Sequence, residues 1–172
     1  MKSIVQQKLR QKSPPPSLEA EVFLALQLAA NRLLDPWTRY LKTEGLTHGQ
    51  YNVLRILRGA RPEALTCGEI AGRMISRDPD ITRLLDRLDQ QGLVERHRDA
   101  ADRRAVRTRI SPAGLTLLER LDVPAATMVP RALAPLGRRR LQELNSLLAA
   151  VIEHADGHAD GPEPSFTTHT RK

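Results

Sequence analysis

The sequence predicts a mainly α fold built around a helix-turn-helix and a two-stranded wing. Three observations carry that prediction. Two neighbouring segments, opening at Thr66 and at Asp78, begin with helix-start residues and continue with apolar residues at helical spacing. A short β-like stretch over 93–98 and an alternating one over 106–110 come next, separated by a polar turn. Longer amphipathic segments stand at both ends of this central run.

The bulk properties narrow the class. A chain of 172 residues suits one compact domain, or one with appended ends. Its 40% hydrophobic and 27% charged content is ordinary for a soluble protein. The longest apolar runs, such as 147–152, fall far short of the ~18 residues a membrane helix needs, so no membrane role is expected. The first eight residues carry positive charge but no apolar core, so no secretory signal is visible. Cys67 is the single cysteine, which excludes an intramolecular disulfide and a multi-cysteine zinc site. Together these features favour the cytoplasm. Lys and Arg number 27 against 20 acids, a net charge of +7. That suits a polyanion such as nucleic acid, but equally an anionic membrane surface or no partner at all. The five Phe, Trp and Tyr residues are too few and scattered for a base-stacking platform. If nucleic acid is the partner, a duplex read by helices is the better match.

The elements run in order along the chain. Residues 1–17 form a basic arm with Pro14, Pro15 and Pro16, expected to be extended and flexible. Ser17 caps a long amphipathic helix with Leu18, Val22, Leu26, Leu33, Trp37 and Leu41 on one side and Pro36 as a possible kink. Thr47 and Gln50 form a capping box for a second helix, in which Tyr51, Leu54, Ile56 and Leu57 are the core residues. Thr66 and Glu69 repeat the pattern for a short third helix with Ile70, Ala71 and Met74 inward. Asp78 as cap and Pro79 as first residue open a fourth, which Gly92 ends. Ser111 and Pro112 start another, with Leu115, Leu118 and Leu121 inside. Pro124, Pro130 and Pro135 are expected to kink or break the helix beyond Leu121. A last helix covers about 138–154, and 155–172 is expected to be a disordered tail.

This order has a functional reading. A helix-turn-helix places its second helix in the DNA major groove, and a wing reaches the backbone and minor groove beside it. Between Arg96 and Arg109 lie six arginines and two aspartates, a net of +4 over 14 positions. On the fourth helix, Ile81, Leu84, Leu85 and Leu88 cluster on one side, leaving Pro79, Thr82, Arg83, Asp86, Arg87 and Gln90 outward. Arg83 can bond guanine edges and Thr82 can touch a thymine methyl, while Arg87 is better placed for phosphate. An ordinary solvated face is the competing explanation, and the hairpin arginines weigh against it.

At this point the residues resemble a family. Gly68-Glu69-Ile70-Ala71, Pro79-Asp80-Ile81-Thr82-Arg83-Leu84-Leu85-Asp86-Arg87-Leu88, Gly92-Leu93-Val94-Glu95-Arg96, Asp102-Arg103-Arg104 and Ile110-Ser111-Pro112-Ala113-Gly114 together look like the MarR family of bacterial transcriptional regulators. The segment from Leu46 to Leu54 is similar to that family's second helix, and the match spans roughly 20–153. The resemblance implies a winged-helix homodimer: a domain over 18–154, with 18–44 and 115–154 as dimerisation helices and 47–111 as the DNA-binding core. It implies double-stranded DNA with a pseudo-palindromic operator as partner, repression, and release by a small phenolic or anionic ligand. It also implies DNA contacts from Asp80, Thr82, Arg83, Arg87, Arg98, Arg103 and Arg104. Asp102 would brace Arg104 in the minor groove, and Trp37, Tyr40, His48 and Tyr51 would line the ligand cleft. Pro124 and Pro130 depart from the family's long unbroken helix. Core packing explains the four cleft candidates equally well.

Other motifs carry less. His97-Arg98-Asp99 resembles a kinase catalytic triplet but lacks the following Asn, a glycine-rich loop and an Asp-Phe-Gly. His154, Asp156 and His158 have metal-ligand chemistry but lie at the edge of the expected tail. Cys67 near a helix start could be an activated thiol, though a small residue in a first turn is the simpler account. Arg138, Arg139 and Arg140 read as a solvated helix start. No catalytic residue, cofactor or metal site is therefore expected. The leading function is a ligand-responsive transcriptional regulator. A non-specific architectural DNA binder is the alternative, and an enzyme acting in the interhelical cleft has no nucleophile–base pair to support it.

Overall fold

The structure, a computed structural model, describes residues 3–76, 80–99 and 105–158. It comprises α1 (Ile4–Lys8), α2 (Leu18–Thr43), α3 (His48–Gly59), β1 (Leu65–Thr66), α4 (Cys67–Ala71), α5 (Ile81–Gln90), β2 (Val94–Arg98), β3 (Val106–Ile110), α6 (Pro112–Leu133) and α7 (Gly137–His158). A 3₁₀ turn, Ala134–Leu136, separates the last two helices. The chain forms two compact units, Met1–Val129 and Pro130–Lys172.

The core of the first unit is one apolar cluster. Leu41 from α2, Val53, Leu54 and Leu57 from α3, Ile70 from α4, and Leu84, Leu85 and Leu88 from α5 meet Val94, Ile110, Leu118 and Leu121. The sheet has the order β1-β3-β2, all antiparallel. Val94 pairs with Ile110 and Arg98 with Val106, so a seven-residue connection joins β2 to β3, as the turn pattern predicts. The sequence does not announce β1: two residues in front of α4 are too short to show a strand period. Its pairing of Leu65 with Thr108 makes β3 central and buries Thr108.

Helix starts obey the capping chemistry. The Ser17 hydroxyl accepts from the Ala20 amide at 3.2 Å, and both capping boxes form, Thr47 with Gln50 and Thr66 with Glu69. Gly92 adopts φ +68, and its amide and that of Leu93 return to Asp89 and Leu88, closing α5. Pro36 stays inside a continuous α2.

Several expectations need correction. The N-terminal arm is not wholly extended: Ser3 caps α1, and Val5 is buried where α1 packs on α2. α5 starts later than expected. Its cap is Asp80, whose carboxylate accepts from the Arg83 amide at 3.3 Å, while Asp78 and Pro79 lie outside the described residues. Pro124 and Pro130 do not interrupt α6, which runs through both. Each removes only one donor from the helix ladder, and the Thr127 hydroxyl donates to the carbonyls of Val123 and Pro124. The break comes at Pro135, in the 3₁₀ turn, followed by Gly137 at φ +67. Finally, 155–158 are helical as the end of α7, so His154 and Asp156 belong to that helix; 159–172 lie outside the described residues.

In the second unit, none of the described side chains of α7 is buried: Leu147, Val151 and Ile152 are all more than half exposed. In the first, Leu18 and Phe23 of α2 are likewise open.

Candidate nucleic-acid interface

α4 and α5 form the helix-turn-helix, and α5 divides into two faces. Leu84, Leu85 and Leu88 are buried, whereas Thr82, Arg83 and Arg87 are exposed on the opposite side. Asp80 is placed by its capping role, which also brings its carboxylate to 3.9 Å from Arg83 Nη1. The Thr82 hydroxyl lies 3.8 Å from Cys67 Sγ, so the two helices of the motif touch at their N-terminal ends. Ile75 donates its amide to Asn52 Oδ1 at 3.1 Å, anchoring the segment after α4 to α3.

The wing arginines sort into two kinds. On β2, Arg96 lies on the same side as buried Val94, and its guanidinium is hydrogen-bonded to Asp86 of α5. Asp86 is thereby half-buried and engaged rather than facing freely outward, which corrects the outward assignment. Arg109 sits directly across from Glu95 and pairs with it at 2.7 Å. Arg107 donates from Nε to Asp99 and from Nη1 to the Ala64 carbonyl at 3.0 Å. The Asp99 contact strengthens the hold on the Arg107 proton, pushing that group above its ordinary range. Arg98 is exposed at the end of β2, and among the described residues no ion pair engages it. Arg103, Arg104 and Asp102 lie outside the described residues.

Sequence reasoning misses these pairings. A count over 96–109 excludes Glu95 and Asp86, the partners of two of its six arginines. The Glu95–Arg109 pair is accessible from the hairpin register alone, since a seven-residue turn sets them opposite. The reach of Arg96 to Asp86 needs the tertiary packing of β2 against α5.

The ligand-cleft candidates divide as well. Trp37 stacks on Tyr40 at 5.6 Å between ring centroids and meets Tyr51 edge-on at 5.1 Å. Tyr51 is buried, with the Arg55 guanidinium 5.8 Å above its ring. His48 instead lines an open cavity of about 440 Å³ together with Asp80, Arg83 and Arg87.

Two further contacts tie this region to the rest of the first unit. Arg58 of α3 forms a two-pronged ion pair with Asp122 of α6, at 2.7 and 3.0 Å. That hydrogen bonding holds the Asp122 carboxyl below its ordinary range, against a smaller opposing effect of burial. Arg120 of α6 reaches Glu44 at 3.0 Å.

A capped recognition helix, its supporting helix and a paired three-stranded wing define a winged helix-turn-helix protein. The MarR family profile matches residues 46–106, which span α3 to the start of β3. The HTH-type transcriptional regulator PrsX of Escherichia coli is 31% identical over 116 residues, covering 66% of this chain and 70% of the relative. A crystal structure of a MarR transcription factor from Planctomyces limnophilus is 38% identical, with a TM-score of 0.61 over 78% of this chain and 97% of that one. The PcaV transcriptional regulator from Streptomyces coelicolor, crystallised in complex with its natural ligand, is 26% identical, with a TM-score of 0.67 over 83% and 97%. The chain belongs to the MarR family and is a helix-turn-helix transcriptional regulator.

Proposed function

We propose that the chain acts as a homodimeric repressor that binds a pseudo-palindromic operator in duplex DNA and is released by a small ligand. The observation that carries the reading is the two-faced α5: three leucines lock it to the core while Thr82, Arg83 and Arg87 remain open to a groove. Arg83 would read a base edge, Arg87 would meet phosphate, and Arg98 with Arg103 and Arg104 would track the flanking backbone and minor groove. Asp80 acts through its cap, orienting the first turn of α5. The pairing of Arg96, Arg107 and Arg109 with carboxylates favours this reading over an architectural binder. A protein that needs only positive charge gains nothing from neutralising three of its wing arginines.

Homodimerisation rests on the open apolar residues of α2 and α7, Leu18, Phe23, Leu147, Val151 and Ile152. Burying such side chains at ~25 cal/mol per Å² supplies a driving force that survives the cost of association. The ligand proposed is a small molecule, phenolic or anionic as the family resemblance implies; that a relative was crystallised with a natural ligand supports a ligand-responsive reading. Of the four cleft candidates, buried Tyr51 with Trp37 and Tyr40 packs against the core, whereas His48 lines an open cavity and is the one we propose as a polar contact to a ligand. The protein would work in the cytoplasm and catalyse no reaction.

Selection of bound duplexes from a random library tests the reading. An inverted-repeat consensus with two half-sites about one helical turn apart is expected. Uniform, sequence-independent enrichment, or a stable monomer by light scattering at micromolar concentration, would refute it. Small phenols and carboxylates are then screened for release of the selected duplex.

A further inference from the structure

One ion pair of the wing is placed differently from the others. Arg109–Glu95 joins two strands of the sheet, and Arg96–Asp86 joins the sheet to α5. Arg107 holds three separate segments at once. Its Nε donates to Asp99, the first residue after β2, and its Nη1 donates to the Ala64 carbonyl in the stretch before β1. The same nitrogen lies 3.8 Å from Glu69, the carboxylate that completes the cap of α4. Asp99 in turn donates its amide to the Ala105 carbonyl at 2.9 Å, closing the base of the connection that carries residues 100–104. Its side chain is only 15% exposed, so the pair is shielded on one side from water.

We infer that Asp99 and Arg107 are positioning residues that aim the wing at its flanking DNA relative to α4, and so set base preference outside the half-site. The inference rests on the operator reading above and adds the source of one part of its specificity. The guanidinium is suited to the task. It is planar, and its several N–H groups point in set directions, so one side chain can hold a carboxylate and a carbonyl on different segments together. A lysine at 107 would keep the charge but offer one compact nitrogen on a flexible stem, and could not hold both in fixed geometry. The contribution is geometric. Asp99 would stand near a polyanion and bring negative charge, so its presence can favour DNA binding only by what it orients.

The test compares wild type, Asp99→Asn and Arg107→Lys on the duplex that wild type selects, with the flanks of each half-site randomised in a second library. Thermal melting and light scattering establish that each variant is folded and assembled as wild type is. Both variants are expected to bind the selected duplex about tenfold more weakly, roughly the scale of one lost contact. Both should lose preference in the flanks while keeping the bases read by α5. Arg107→Lys preserves net charge, so it keeps the test decisive if Asp99→Asn does not fold. The inference is overturned if the flanking preference survives both substitutions. It is overturned equally if Asp99→Asn binds every duplex more tightly, as charge alone dictates, or if preference falls evenly across half-site and flanks. A wild-type protein that selects no duplex removes the operator reading and this inference together, whereas flank-preferring variants remove the inference alone.

Discussion

Replacing Gly114 with alanine measures how tightly the wing is joined to α6. Gly114 lies in the first turn of that helix, behind Ser111, whose hydroxyl accepts its amide at 3.0 Å and donates to the Gly92 carbonyl at 2.7 Å. A Cβ built there falls 2.3 Å from the Leu93 carbonyl oxygen and 2.8 Å from Ile110 Cγ1. The first neighbour is backbone and cannot swing aside. Leu93 also accepts the Ser111 amide at 3.1 Å, so moving its carbonyl weakens the link between the end of α5 and the start of α6. Two effects oppose each other. Alanine is favoured over glycine in a helix by at most about 1 kcal/mol. Forcing an atom into a packed site of this kind costs about 1–3 kcal/mol, and more where backbone must shift. Overpacking should win, and we expect Gly114→Ala to lose roughly 2 kcal/mol. Urea unfolding monitored by circular dichroism reads this as a lower midpoint at unchanged slope. A midpoint equal to or above wild type would show that the close approach at Leu93 imposes no constraint.

Three other outcomes are expected. Arg83→Ala should cost about 1–3 kcal/mol on the selected duplex and relax preference at one position per half-site, whereas Arg87→Ala should weaken all duplexes alike; fluorescence anisotropy on matched and random DNA separates them. Asp102→Ala should weaken operator binding although it removes negative charge, and Arg104→Ala should flatten the preference for flanking A·T pairs; tighter binding by Asp102→Ala at constant salt would leave the wing tip as a plain basic patch. Because the Asp122 pKa is depressed in the folded state by Arg58, its pairing stabilises the fold above the unfolded carboxylate value, about 4, and that share is lost as pH falls through the lower folded value. Asp122→Asn should therefore be less stable than wild type at neutral pH and converge with it in acid, by a modest amount since both side chains are partly exposed, and parallel pH–stability curves would contradict the assignment.

The legible parts of the fold are those written in local chemistry. Ser17, Thr47 and Thr66 announce their helices because the capping residue and its partner lie three positions apart in the chain. Gly92 announces the end of α5 because few other residues tolerate its φ. α1 is hidden because its five residues are too few for a helical period, and burial of Val5 against α2 is a tertiary matter. Asp78-Pro79 has the residue types of a helix start and so draws the sequence reading away from Asp80, whose carboxylate accepts the hydrogen bond from the Arg83 amide. Prolines mislead for the opposite reason. A mid-helix proline is costly in isolation, but α6 carries buried Leu117, Leu118 and Leu121 ahead of Pro124, and tertiary packing prevails over propensity.

The arginines of the wing show what charge counting leaves open, since a count does not say which side chains already hold a carboxylate. A run of six arginines suggests a surface made for phosphate, and its position beside a helix-turn-helix makes that reading persuasive. The structure commits Arg96, Arg107 and Arg109 to Asp86, Asp99 and Glu95. The three partners stand on α5, at the base of the turn and on β2, so the pairs brace the wing from three directions. The exposed Arg109–Glu95 pair adds little stability, about 0–1 kcal/mol, and the partly buried Arg96–Asp86 and Arg107–Asp99 pairs set their attraction against a desolvation cost, so folding alone is a weak reason for three of them. What they do supply is direction, because a guanidinium hydrogen-bonded to a carboxylate holds both chain segments to a narrow set of geometries. Specific recognition requires that direction, since an arginine delivered to the wrong phosphate or groove contributes charge without discrimination. The paired arginines thus build the frame, and, among the described residues, Arg83, Arg87 and Arg98 stay exposed, which is why we propose them as contacts to DNA.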